Sequence, residues 1–170
     1  VGKPGAPVEV VERGDQQCAV CKGYAEEILP PISENQVKNG EVKIDFRNFT
    51  IIGPQSVDAG AAALAAGAQE RGWNFVVLFY RNQGAENSGF ADDAFLEAIA
   101  KGAGVDDLAK WNEDRKLFRA KVEETSQEAQ RLGFNGTPSF AIEGPGTQGP
   151  EPIGTPESTG ALEEAIEDAG

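Results

Sequence analysis

The only two cysteines of this 170-residue chain are separated by two residues, in Asp15-Gln16-Gln17-Cys18-Ala19-Val20-Cys21. They lie between a short apolar run (Val8, Val10, Val11) and a stretch with helical spacing. If Val8 to Glu12 is a strand and a helix begins at Cys18, the Cys18 sulfur sits at the helix cap, near backbone N–H groups that lack partners. That position favours a thiolate, and the thiolate is the reactive species. Cys21, one turn on, faces back toward Cys18, so the two sulfurs can close a small disulfide ring and reopen it. Far downstream, Gly136-Thr137-Pro138-Ser139-Phe140 is the second segment whose residue types suit this chemistry. Together they read as a thiol-disulfide site.

Two rival readings of the cysteine pair are weaker. A four-ligand zinc site needs two more Cys or His, and the chain has no histidine and no third cysteine. A structural disulfide closing so short a loop would remove little entropy from the unfolded chain. The absence of histidine also excludes Ser-His and Cys-His hydrolytic mechanisms.

Composition narrows the setting. With 28 acidic against 15 basic residues the net charge is −13, which repels phosphate backbones and argues against nucleic-acid binding. At 39% hydrophobic content the chain can fill one sizeable core, and no segment approaches the ~20 apolar residues of a membrane span. The opening residues 1–7 have linker composition, as would remain after removal of a signal peptide or membrane anchor.

The elements that must position the cysteines follow from periodicity. Val8 to Glu12 reads as a short buried strand. Val20, Tyr24, Ala25, Ile28 and Leu29 keep to one helical face, and Pro30-Pro31 is expected to stop or kink that helix. Val42, Ile44 and Phe46 alternate with Lys43, Asp45 and Arg47, as in a half-buried edge strand, so the first unit is a parallel βαβ. Ala59 to Ala68 is a helix whose small side chains permit close approach of another helix, and Trp73 to Tyr80 reads as a buried helix. Phe90 to Ala100 and Val105 to Trp111 follow. A longer helix carrying Phe118, Val122, Ala129 and Leu132 stops at Gly133. Ser139 to Ile142 is apolar on both faces, as a central strand should be, and a short edge strand is expected around Pro152-Ile153. Thr155 and Ser158 are candidate caps for a last amphipathic helix with Leu162, Ala165 and Ile166.

That order, with the cysteines at the first strand-helix junction and Thr137-Pro138 before the late strand, resembles the thioredoxin fold. More specifically it resembles the DsbA-like thiol:disulfide oxidoreductases, and residues Trp73 to Phe90 are similar to secreted actinobacterial members. The resemblance implies an α/β, thioredoxin-like fold with an inserted helical subdomain. Its parts are a linker at 1–7, a first thioredoxin-like part at 8–56, a helical insertion at 57–117 and a second thioredoxin-like part at 118–170. It further implies a cis Thr137-Pro138 bond, substrate contacts from Thr137, Pro138, Ala19 and Val20, and no cofactor besides a redox-active Cys18-Cys21 disulfide. Relatives often place Pro after the first Cys and an aromatic or His in the pair. Ala19-Val20 offers no polar neighbour, so thiolate stabilisation falls mainly to the helix terminus and the implied oxidant is a weaker one.

Glu12 coincides with a buried acidic residue that the family places beneath the disulfide. There it would take and return the proton of Cys21, which needs a raised pKa. The competing reading is a solvated strand-end glutamate, although Glu12 shares a strand face with Val8 and Val10. Asp15 reads as a turn or cap residue. The sequons Asn48-Phe49-Thr50 and Asn135-Gly136-Thr137 are short enough to arise by chance, and a glycan on the second would block the docking loop.

The implied function is a monomeric, extracytoplasmic oxidase of cysteine-containing exported polypeptides. A membrane partner of DsbB or vitamin K epoxide reductase type would reoxidise it. A reductase or isomerase using the same residues, and a non-catalytic peptide-binding module, are the alternatives; an insulin-reduction assay separates the module from both enzymes.

Overall fold

The computed structural model describes residues 1–170. Four strands, β1 (Val8–Gly14), β2 (Val42–Asn48), β3 (Ser139–Glu143) and β4 (Glu151–Gly154), form one sheet in the order β2-β1-β3-β4. β1 pairs with β2 in parallel, while β1 with β3 and β3 with β4 are antiparallel. The alternating β2 takes an edge and the two-sided apolar β3 takes the interior, as their patterns require. Val1 also lies along β2, where its ammonium donates to the Ile44 carbonyl at 2.6 Å and its carbonyl accepts from the Ile44 N–H at 2.8 Å.

The first helical run does not stop at the prolines. It proceeds from α1 (Ala19–Gly23) through a π-type turn (Tyr24–Ile28) into α2 (Leu29–Ile32), and then through a second π-type turn (Ser33–Val37). The Leu29 N–H reaches back five residues to the Tyr24 carbonyl. That widened turn leaves room for Pro30 and Pro31 in the first turn of α2, where their missing N–H groups interrupt little of the ladder.

Five helices separate β2 from β3: α3 (Pro54–Gly67), α4 (Gly72–Arg81), α5 (Asp93–Gly102), α6 (Leu108–Leu117) and α7 (Arg119–Arg131). Ala59, Ala62, Ala65 and Ala66 of α3 are fully buried, and the small-residue face lets Trp111 of α6 lie against it. The Trp111 indole N–H donates to the Ala62 carbonyl at 2.9 Å. After α7 the chain turns at Gly133, whose φ of +86° is the left-handed conformation that suits a helix C-terminus. The Phe134 N–H returns to the Ala129 carbonyl at 3.1 Å and closes that end. α8 (Thr159–Ala169) completes the chain, capped by Ser158, which accepts from the Ala161 N–H at 3.2 Å. Thr155 has a different task, donating its hydroxyl to the Pro138 carbonyl at 2.9 Å.

Two apolar clusters result. One joins α3 to α6 with Cys18 and Cys21; the other joins β1, β2, β3, α2 and α8, with Tyr24 among its members. Cys18, Cys21 and Tyr24 follow one another at three-residue spacing along one helical run, so that run stitches the helical body to the sheet. The Tyr24 ring stacks at 5.2 Å on Phe140, and its hydroxyl donates to the Pro156 carbonyl.

Trp111 is the largest fully buried side chain. Trp111→Ala is expected to cost about 3–5 kcal/mol, the usual range for deleting a buried aromatic. Urea denaturation measures it, and a loss below about 1 kcal/mol would mean that the α3–α6 contact is not a stabilising core.

Candidate active site

The loop ahead of α1 is polar and yet has no access to solvent. Asp15, Gln16 and Gln17 are each 0% exposed, and all their side-chain polar atoms are hydrogen-bonded except the Gln16 Oε1, which has no partner. One Asp15 oxygen accepts the Gln17 N–H at 2.8 Å, closing a tight turn, and the Cys18 N–H bonds the Asp15 carbonyl at 2.9 Å. The other carboxylate oxygen accepts the Ile51 and Ile52 N–H groups at 2.8 and 3.1 Å. Asp15 is thus the turn residue its position implied, and it also ties down the segment after β2. Gln16 donates to Asn48 at 3.1 Å and Gln17 donates to Ser56 at 2.9 Å. Asn48 is 3% exposed and engaged in this network, which removes the first sequon as a glycan site.

This anchored loop delivers Cys18 to the cap of α1 in an extended conformation, φ −70° and ψ 118°. Both cysteines are reduced thiols. The Cys18 sulfur accepts the Cys21 N–H at 3.3 Å and lies 3.4 Å from the Thr137 carbonyl oxygen. The pair and the Thr137-Pro138 segment, 116 residues apart in sequence at Cys21 and Thr137, therefore meet at one sulfur. The Thr137-Pro138 bond is cis. Ala19 and Val20 are exposed beside it, Val20 to 58%.

The two thiols differ in acidity. Cys18 is lowered from 9.0 to about 6. The hydrogen bond from the Cys21 thiol is the largest cause; burial opposes it, and the Thr137 side chain and the N–H groups of Cys21 and Val20 add to it. The helix terminus therefore contributes, but the partner thiol contributes more than the expectation from Ala19-Val20 allowed. Cys21 moves the other way, raised first by burial, then by its hydrogen bond to Cys18 and by the Cys18 charge.

Glu12 is 1% exposed, which rules out a solvated strand-end residue. It sits between Phe46 and Phe140 in the register of the sheet, and its Oε1 atom has no hydrogen-bond partner. Burial, followed by the Cys18 charge, raises its pKa from 4.5 to about 8. Glu12 in turn raises Cys21. Cys18, Cys21, Glu12 and Thr137 thus form one electrostatic unit.

Several residues of this surround carry no sequence signal. Gln83 donates to the carbonyls of Gln16 and Cys18 at 2.6 and 3.1 Å. Glu86 accepts the Ala19 N–H at 3.2 Å, and the Asn87 N–H donates to Gln17 at 2.9 Å. They come from a turn-rich segment beyond α4, whose Gly and Asn content marked a loop but not its destination. The run Asp15-Gln16-Gln17 against a reactive cysteine was the one visible hint of a built polar network. No group of three His, Cys, Asp or Glu side chains is arranged to hold a metal ion.

Residues 1–168 match the family described as thioredoxin. A Bacillus cereus relative, a probable disulfide bond formation protein D, is 32% identical over 149 residues, spanning 85% of this chain and 69% of its own. The crystal structure of oxidised BdbD from Bacillus subtilis superposes with a TM-score of 0.87 at 25% identity, covering 99% of this chain and 90% of that one. α-DsbA1 of Wolbachia pipientis shares the fold at a TM-score of 0.84 and 20% identity, over 99% and 88% of the two chains.

Two pH dependences follow. In the reduced protein, thiolate absorbance near 240 nm and the rate of alkylation at Cys18 should rise with a midpoint of about 6, with no second thiol titrating below pH 9. The folded reduced protein also keeps the Glu12 proton up to about pH 8, whereas the unfolded chain releases it near 4.5. The native state binds the extra proton across that window, so this residue's contribution makes stability fall as pH rises, by about 4 kcal/mol at pH 8. Glu12→Gln should remove that loss, so that the reduced variant gains on the wild type between pH 5 and pH 8 in urea titrations. Parallel curves for the two proteins would contradict the raised pKa.

Proposed function

This chain belongs to the thioredoxin family, among the DsbA-like thiol:disulfide oxidoreductases, and from that premise we propose that it oxidises the cysteines of exported polypeptides through the Cys18-Cys21 disulfide. The observation that carries this reading is the placement of two thiols one turn apart, with the Cys18 sulfur at the cap of α1 accepting the Cys21 N–H at 3.3 Å and lying 3.4 Å from the Thr137 carbonyl of the cis Thr137-Pro138 segment; there Cys18 is lowered to about 6 while burial raises Cys21.

In the oxidised enzyme a substrate thiolate attacks the Cys18 sulfur. The Cys18–Cys21 bond breaks, a mixed disulfide forms at Cys18, and Cys21 departs with the electron pair. A thiolate at Cys21 is costly because it is buried. Glu12, which burial holds in its protonated form, supplies the proton that neutralises it. A second substrate thiolate then attacks the substrate sulfur of the mixed disulfide and expels Cys18. Two electrons have passed to the enzyme and the substrate leaves with a disulfide. Because a low-pKa thiolate leaves readily, and because its stability favours the reduced enzyme, the same Cys18 environment supports both release and oxidising power.

In this reading Thr137 and Pro138 hold the substrate backbone beside Cys18, and Ala19 and Val20 offer it a small apolar contact. Residues 57–117 act as the insertion that roofs the thiol pair, with 8–56 and 118–170 supplying the thioredoxin-like remainder. The enzyme works as a monomer in an extracytoplasmic compartment. Reoxidation requires a two-electron acceptor, for which a quinone-linked membrane protein of DsbB or vitamin K epoxide reductase type is the proposed class. No helix of the chain is long and apolar enough to cross a membrane.

The test is trapping. The Cys18 thiolate of Cys21→Ser should attack a disulfide-bonded substrate, releasing one substrate thiolate, and accumulate the mixed disulfide because no Cys21 thiol is there to resolve it, while Cys18→Ser should form none. Equal trapping by both variants would reverse the assignment. Failure of the wild type to reduce insulin with a thiol reductant would favour a non-catalytic binding module instead.

A further inference from the structure

The segment that crosses the mouth of the site brings one charge with it. Gln83, Glu86 and Asn87 all bond the Gln16–Ala19 loop, and Asn87 also donates its side-chain amide to the Ile52 carbonyl at 3.2 Å. Gln83 and Asn87 are neutral. Glu86 is exposed and places its Oε1 atom 3.2 Å from the Ala19 N–H, the first residue of α1 and the neighbour of Cys18. An N–H at that end of a helix is one of the groups that would otherwise face an anion at Cys18.

The other ionisable groups around Cys18 are differently placed. Glu12, Cys21 and Tyr80 are buried beneath it, and Tyr80 donates its hydroxyl to the Asp15 carbonyl at 3.1 Å. On α1 itself, Lys22 faces Glu26 at 4.0 Å. Asp15, in the loop between β1 and α1, commits its carboxylate oxygens to the N–H groups of Gln17, Ile51 and Ile52, so Glu86 is the carboxylate that takes up the Ala19 N–H itself.

We propose that Glu86 is a positioning residue that sets the redox poise of the site: by occupying the Ala19 N–H with a full negative charge it opposes the Cys18 thiolate and makes the disulfide a milder oxidant. The proposal rests on Cys18 being the exchanging thiol. Repulsion between two anions destabilises the reduced form, and a less stable reduced form is a weaker electron acceptor's product. The same hydrogen bond keeps the strap over the loop, so charge and anchoring are combined in one side chain.

Glu86→Gln separates the two, since its amide oxygen can still accept the Ala19 N–H while the charge is gone. Charges in the first turn of a helix act on the scale of about half a pKa unit. The Cys18 midpoint read at 240 nm should fall by about that much in Glu86→Gln. The equilibrium with glutathione should move toward reduced enzyme about threefold, or about 15 mV for a two-electron couple. Raising salt should shrink the difference between variant and wild type. Glu86→Asp should remain close to wild type, and Glu123→Gln, an exposed neutralisation on α7, should shift neither quantity. An unchanged midpoint and glutathione equilibrium in Glu86→Gln would overturn the proposal, as would a change in melting temperature alone. If wild-type Cys18 neither titrates near 6 nor exchanges with glutathione, the thiol assignment itself fails and the proposal falls with it.

Discussion

The hydrogen bond between the two cysteines is the interaction on which the site depends. Cys18 can carry charge near neutrality because the Cys21 thiol stays protonated and points its proton at the Cys18 sulfur. Cys21 stays protonated because it is fully buried, where an anion would lose its hydration without gaining a cation. Separation by one helical turn gives the two sulfurs their proximity, and burial gives them their difference. Neither condition alone would do: two exposed thiols would share similar acidity, and Cys18, itself only 6% exposed, stays acidic because the donors that reach its sulfur outweigh its burial.

Holding that arrangement falls to groups that never touch the reaction. Asp15 fixes the turn before Cys18 and simultaneously satisfies two N–H groups of the segment after β2. Gln16 and Gln17 extend the network to β2, α3 and the strap at residues 83–87. Buried polar groups destabilise a fold unless they are paired, so a loop this polar at zero exposure is stable only when all these elements are in place together. The polar loop therefore makes the position of Cys18 conditional on the assembly of both apolar clusters.

The local pattern carried much of this. Cys18 and Cys21 are conspicuous in a chain without histidine, the alternation of Val42 to Arg47 marks an edge strand, and the close-packed alanines of α3 announce a helix with a near neighbour. Glu12 was ambiguous because strand alternation placed it on the buried face while its charge argued for solvent; burial prevailed, at the expense of a raised pKa. Pro30-Pro31 misled because proline is a helix breaker only where the preceding turn cannot widen, and here it does. The contacts of Gln83, Glu86 and Asn87 were invisible for a different reason. They link residues about 70 positions apart through single hydrogen bonds, and no periodicity records which loop crosses which.

Charge at the site is decided locally. The chain carries a net −13, and so general a negative field would oppose a thiolate anywhere on the surface. Yet distant exposed charges are screened within about 8–10 Å at physiological ionic strength, whereas the Cys21 N–H donates to the sulfur at 3.3 Å, and the Cys21 thiol, the Thr137 side chain and the Val20 N–H all lower its pKa. The short-range donors win. The buried cluster of Cys18, Cys21 and Glu12 then settles its own protonation: near pH 7 the charge resides on Cys18, and that charge, together with burial, keeps Glu12 protonated. In the oxidised enzyme Cys18 is held in the disulfide and carries no charge, so formation of the mixed disulfide delivers a single negative charge to Cys21, which then needs a proton. With no Cys18 anion beside it in that step, Glu12 releases its proton more readily than in the reduced protein, and transfer from Glu12 to Cys21 moves the arriving charge within the cluster.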